Sequence, residues 1–178
     1  MIEKEIEIKF KADDAVLTSL KGIEMKSYEE EDEYFTTKEM LENSTFLRFR
    51  KKHGKTILIM KDITNAKKEI YEADEIQIEL NDENYRKLRE IFSRLLPFSF
   101  IVRKIRSKGF MNGCELCLDK VDGLGDFLEI EGKKENIEQV CKKLKLDLKN
   151  TDKERGYAHM MVKKLKMVDY KIRDDVKK

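Results

Sequence analysis

Apolar and charged residues alternate through most of this chain, the pattern of strands with one apolar and one charged face. It begins at once: in Ile-Glu-Lys-Glu-Ile-Glu-Ile-Lys, residues 2–9, Glu3, Glu5, Glu7 and Lys9 share one side. Residues 25–35 read as extended, and 44–63 as a hairpin turning at His53-Gly54. Residues 67–80 are extended again. Strands 99–111 and 114–120 meet around Asn112-Gly113, and 126–132 follows a turn at Asp122-Gly123. Helical spacing falls in four places. Residues 13–23 form a short helix capped by Asp13 or Asp14, and 81–96 an amphipathic one capped by Asn81 or Asp82. On the second, Tyr85, Leu88, Phe92 and Leu95 make one stripe. Residues 134–146 and 152–165 are the others. Strands joined by short turns, with helices inserted singly, predict an antiparallel sheet and an α+β fold.

The charged faces carry the chemistry. Arg48 and Arg50 lie opposite Leu47 and Phe49; Glu75, Gln77 and Glu79 lie opposite Ile76, Ile78 and Leu80. Lys104, Arg106 and Lys108 align, as do Glu115 with Asp119 and Glu129 with Glu131. A one-sided sheet with its charges in water is the simplest account of alternation. Two details argue against it. Each stripe is nearly pure in sign, although like charges two residues apart repel. Arginine also recurs at stripe positions in a chain that otherwise prefers lysine, and its rigid fork suits phosphate better than plain solubility requires. A sheet curled until these faces met would offer hard oxygen ligands for Mg²⁺ or Mn²⁺ beside cations for phosphate.

Composition narrows the classes. Of 178 residues, 42% are charged, yet the net charge is only +2, which argues against a general nucleic-acid binder. No apolar run is long enough for a membrane span, and the first residues are no signal peptide. Three cysteines fit a reduced, cytoplasmic protein. Cys114 and Cys117 are spaced to lie on opposite faces of a strand, and without a second pair they argue against zinc. His53 at a turn and His159 on a helix, with no partner at ligand spacing, read as exposed or packing residues; Cys141 reads as a buried helix residue.

At the charged stripes the sequence resembles the CYTH superfamily, the triphosphate tunnel metalloenzymes that include class IV adenylyl cyclases and thiamine triphosphatases. The E-x-E-x-K hallmark appears as Glu5, Glu7 and Lys9. Asp32, Tyr34 and Phe35 resemble the D-x-Y-F segment. Arg48 and Arg50, Lys61, then Lys104 and Arg106 follow in family order. Asp119 precedes a Gly-Leu-Gly turn and a second E-x-E, Glu129 and Glu131, as in class IV cyclase-like members. The K-S-Y of many such members is here Arg155-Gly156-Tyr157. Glu75 and Glu79 both match one acidic position, and the roles of these two and of Arg155 stay open.

The resemblance implies a closed antiparallel eight-stranded β-barrel, a tunnel with a charged interior and helices outside. One domain would cover residues 1–165, with a basic, solvated tail at 166–178. Glu5, Glu7, Asp119, Glu129 and Glu131 would hold Mg²⁺ or Mn²⁺. Lys9, Arg48, Arg50, Lys61, Lys104 and Arg106 would bind the triphosphate, with Lys9 and Tyr34 in catalytic roles. The implied activity is first that of a class IV adenylyl cyclase, ATP to cyclic AMP and pyrophosphate. The alternative is hydrolysis of tripolyphosphate or thiamine triphosphate; a third reading is a binding module without turnover. The partner is a small-molecule nucleoside or inorganic triphosphate, with no nucleic acid and no membrane, and a homodimer is compatible with it.

Overall fold

Eight strands close into an antiparallel barrel in the order β1-β5-β4-β3-β2-β6-β7-β8. They are β1 (Glu3–Lys11), β2 (Lys26–Thr36), β3 (Thr45–Lys52), β4 (Lys55–Asn65), β5 (Tyr71–Leu80), β6 (Phe98–Met111), β7 (Cys114–Val121) and β8 (Gly125–Glu131). The helices are α1 (Asp14–Ser19), α2 (Lys38–Glu42), α3 (Asp82–Leu95), α4 (Lys134–Lys143) and α5 (Tyr157–Leu165). The computed structural model describes residues 2–65, 69–152, 154 and 156–172, so Arg155 and residues 173–178 of the expected tail lie outside the described residues.

Both two-residue hairpins turn where the chain has a residue that tolerates the left-handed region followed by glycine. His53 (φ 51°) and Gly54 (φ 72°) join β3 to β4, and Asn112 (φ 49°) and Gly113 (φ 74°) join β6 to β7. Positive φ at both central positions matches the twist of the flanking strands, so these turns set register. Register then aligns the stripes: Glu7 pairs with Glu131 and Lys9 with Glu129, while Arg106 pairs with Asp119 and Asp32 with Arg50.

The apolar faces point outward. Ile8, Phe10, Leu116, Leu128 and Ile130 pack beneath Val16 and Leu20 and beneath Ile137 and Val140 of α4 and Leu144 at its end. Cys114 and Cys141 are buried in this outer layer. Helix α3, capped by Asn81, lays Phe92 and Tyr85 on Phe49, with Phe92 also against Phe35. Its expected stripe is only partly used, because Leu95 remains 71% exposed. The short α2 was not foreseen; at five residues it has too little periodicity to register.

One end of the barrel is not charged. There the inward positions are Tyr34, Phe46, Ile63, Tyr71, Phe100 and Phe127, and α5 packs against them with Tyr157, Ala158, Met161 and Val162. Met167, Val168 and Tyr170 pack on the same cluster, and Tyr170 hydrogen-bonds His159 Nδ1 at 2.7 Å. Residues 167–170 therefore depart from the solvated tail expected of this segment. Among the described residues no helix is long and apolar enough to cross a membrane.

Candidate functional site

The barrel encloses a cavity of about 350 Å³, lined mostly by charged side chains. Exposure grades along it. Lys9, Asp119, Tyr34 and Tyr157 are buried beside α5, whereas Glu3 and Gln77 at the other end are exposed. The cavity thus opens opposite α5, with Tyr157 contributing to its floor.

One wall is built of close ion pairs. Asp119 is fully buried and accepts bonds from Arg106 Nε (2.7 Å), Arg106 Nη2 (2.5 Å), Lys104 Nζ (3.1 Å) and the Tyr157 hydroxyl (2.9 Å). Asp32, also fully buried, takes a bidentate pair from Arg50 at 2.7 and 2.8 Å. Burial alone would raise both Asp32 and Glu30, but the neighbouring guanidinium and ammonium groups outweigh it. Asp32 is held well below the usual range by Arg50 and Arg48, and Glu30 at about 2 by Arg50, Lys104 and Arg106. These are charge-assisted networks whose Coulombic gain beats desolvation. They fix the basic side chains so that the cationic face is preformed.

The other wall is short of cations. Lys61 Nζ stands 2.7 Å from Glu5 and 3.1 Å from Glu7, while Glu131 and Glu115 face each other across β8 and β7. Burial, followed by the Glu5, Glu115 and Glu7 carboxylates, pushes Glu131 up to about 7, and Lys61 only partly opposes them. Glu129 sits where the walls meet, bonded to Arg106 at 2.5 Å and 3.9 Å from Lys9. Burial would raise it, yet Arg106, Lys9 and Lys104 hold it well below the ordinary carboxylate range.

Two groups are notable for what they lack or meet. Lys9 Nζ is buried (1% exposed) without a hydrogen-bond acceptor, over the Tyr157 ring at 4.7 Å. A buried ammonium so poorly paired is costly unless an anion joins it. Tyr34 accepts a hydrogen bond from Arg48 Nη1 at 2.7 Å and stacks on Phe100; burial chiefly raises its pKa, so its phenol is protonated. The ring that meets Lys9 is thus that of Tyr157, while Tyr34 belongs to the Arg48 cluster.

Glu75 is buried and lies 3.8 Å from Arg48, whereas Glu79 is exposed and paired with Lys55 at 2.8 Å. Cys117 faces the cavity and Cys114 the outer core, so the two thiols lie on opposite faces. Sequence reasoning passed over Glu30 as a site residue because it lies in an unbroken acidic run, where no polarity contrast marks the inward face. Lys52 and Tyr28, which also line the cavity, flank that same uninformative stretch in space.

Among the described residues no three His, Cys, Asp or Glu side chains converge in ligating geometry. The Lys61 ammonium is seated between Glu5 and Glu7. The donor set itself, hard carboxylates in excess of cations, fits Mg²⁺ or Mn²⁺.

Comparison with known proteins agrees with this architecture. A protein of Methanocaldococcus jannaschii named "putative adenylate cyclase" is 31% identical over 151 residues, covering 81% of this chain and 84% of that one. A conserved hypothetical protein of Pyrococcus furiosus superposes with a TM-score of 0.67 at 30% identity, over 84% of this chain and 96% of its own. The PH1012 protein of Pyrococcus horikoshii gives 0.71 at 27%, over 84% and 95%. The CYTH domain matches residues 3–158, and this chain, with its charged barrel, belongs to the CYTH family.

Proposed function

We propose that this protein is a divalent-metal-dependent enzyme acting on a triphosphate, with ATP cyclisation to cyclic AMP and pyrophosphate as the first reading. The observation that carries the triphosphate is Lys9: a buried ammonium without an acceptor, just behind Tyr157 and Glu129, which line a cavity with a preformed cationic wall. Lys9, Arg48, Arg50, Lys61, Lys104 and Arg106 would bind the phosphate chain, with Asp119 and Asp32 fixing the arginines. Glu5, Glu7, Glu129 and Glu131 would hold Mg²⁺ or Mn²⁺, with Asp119 at the edge of that set. The metal would supply charge neutralisation at the phosphates and at the attacking or leaving oxygen.

Positioning and electrostatic stabilisation do most of the work in such transfers. In cyclisation the ribose 3′-oxygen attacks the α-phosphorus, its proton passes to water, and pyrophosphate leaves with the bridging electrons. Lys9 and the cationic wall would stabilise the charge that builds on the phosphate oxygens. Tyr34, held neutral, would orient Arg48 instead of taking the proton. The M. jannaschii relative's name favours the cyclase. The second reading, hydrolysis of tripolyphosphate or thiamine triphosphate, is favoured by the charged lining, since the aromatic rings at the floor are already packed. A cytoplasmic location is supported by three unpaired, buried thiols, and exposed Ile78 and Ile91 are compatible with a homodimer.

The test offers ATP, tripolyphosphate and thiamine triphosphate to the purified protein with Mg²⁺ or Mn²⁺. Cyclic AMP formed from ATP supports the first reading. Tripolyphosphate cleaved with no cyclic AMP moves the assignment to the second. Glu5→Ala and Glu129→Ala should each abolish turnover; variants that keep every activity would refute the metal assignment.

A further inference from the structure

We propose that Phe110, on the open lip of the barrel, is the platform on which the base of a nucleoside triphosphate stacks while its phosphates lie in the cavity. This rests on the triphosphate reading above and names the substrate class more closely.

The interior leaves a base nowhere to go. The cavity holds about 350 Å³ among charged walls. Its aromatic side chains are engaged at the closed end: Tyr34 stacks on Phe100 at 5.2 Å, Phe46 meets His159 at 5.0 Å, and Tyr157 meets Phe127 at 5.4 Å. The remaining approach to Tyr157 is taken by Lys9 and Lys104, at 4.7 and 5.1 Å from its centroid. A base attached to phosphates in this cavity must therefore project from the open end.

At that end Tyr28, Gln77 and Cys117 interrupt the charged pattern, but Phe110 alone among the inward aromatic residues there is without a ring partner among the described residues. Phe110 follows Lys108 by two residues on β6, so it lies on the cavity side of the strand, level with Glu115 of β7. It is 69% exposed, a ring left in water beside a polar opening. A singly exposed apolar side chain is ordinary in itself; what sets Phe110 apart is its place beside the mouth of the charged cavity, where a base can stack on its open face. Lys108 Nζ lies 5.5 Å from the ring centroid and is held by Glu115 at 2.5 Å, which leaves the ring oriented but uncovered. Along β6, Phe110 lies about 13 Å beyond Arg106 at ordinary strand rise. A ribose and base bridge that span once the phosphates sit among Arg50, Lys61 and Arg106. Tyr28 on the neighbouring strand serves less well, because its ring is already paired with His53 at 4.5 Å.

The test is calorimetric binding of α,β-methylene-ATP and of tripolyphosphate, with Mg²⁺, to wild type, Phe110→Ala and Phe110→Trp. Base–aromatic stacking predicts that Phe110→Ala weakens the nucleotide analogue about tenfold. Tripolyphosphate binding should change less than about twofold, and Phe110→Trp should restore the analogue. Equal changes for both ligands, or none for either, would overturn the proposal. Wild type that binds tripolyphosphate but not the analogue would overturn it too, leaving the triphosphate site intact. Wild type that binds neither would remove the proposed function and this inference with it.

Discussion

The two walls of the cavity use the same residue types to opposite effect. On the β2–β3–β6–β7 side each buried carboxylate is matched by fixed cations: Asp119 by Arg106 and Lys104, Asp32 by Arg50. On the β1–β8 side Glu5, Glu7 and Glu131 have mainly Lys61 among them, and Glu131 is pushed up to about 7. The first wall is stable as it stands and presents an organised cationic surface. The second carries electrostatic stress that a divalent cation would relieve. A carboxylate in a charged barrel is thus assigned by its partners and not by its motif: Asp119, in a family acidic position, is the most fully satisfied acid of the cavity.

The largest expected effect separates the walls directly. Asp119→Ala takes away the carboxylate that Lys104 and Arg106 share, leaving them only Glu30 and Glu129, and should cost about 3 kcal/mol, read from urea unfolding. A cost below about 1 kcal/mol would show that the paired wall is not what holds the cationic side together.

Acid and base should then act in opposite senses on the two walls. Glu30, lowered from 4.5 to about 2, contributes stability that is full above its unfolded pKa and is lost as pH falls through 2. Glu131, raised from 4.5 to about 7, favours the protonated form in the folded chain. Its contribution is full below 4.5 and is lost as pH rises through 7. After allowance for its partial exposure, this amounts to about 1–2 kcal/mol between pH 5 and pH 8. Urea midpoints in EDTA should fall over that interval; a flat profile would remove the stress from the acidic wall.

Glu131→Gln sharpens the same point on a smaller scale. Without metal at pH 8 it should stabilise the chain by about 1 kcal/mol and flatten the pH profile, since it removes one repelling charge. Destabilisation by the same amount would mean that Glu131 is paired after all. Least affected should be Lys51→Ala, which breaks a 3.3 Å contact with Glu31 on the outer, exposed face and should cost no more than about 0.5 kcal/mol. A larger loss would mean that outer pairs matter as inner ones do.

Much of this was legible in the residues, for definite reasons. Glu5, Glu7, Glu129 and Glu131 alternate with isoleucine and leucine, so their shared face could be read at once. Their meeting across β1 and β8 could not, because pairing between residues more than a hundred apart leaves no local trace. The acidic run 29–33 has no apolar residue to mark a face, and only the barrel shows Glu30 and Asp32 inside with Glu31 and Glu33 outside. The closed end was hidden for a similar reason. Phe46, Phe100 and Phe127 look like outer-core residues by type, although each lies two or four residues from an inward charge on its own strand, Arg48, Lys104 and Glu129. The family resemblance supplied closure of the sheet, which periodicity alone left open.

The central claim is that the under-compensated acidic wall takes a divalent cation alongside a triphosphate. It is tested most directly by titrating Mn²⁺ into wild type and Glu131→Gln at pH 8 with tripolyphosphate present, reading free Mn²⁺ by electron paramagnetic resonance. Wild type should withdraw Mn²⁺ beyond what tripolyphosphate alone binds. Glu131→Gln should bind it at least about tenfold more weakly, since even outer partners of metal ligands are worth that much. Equal binding by both proteins, or none by either, would contradict the account.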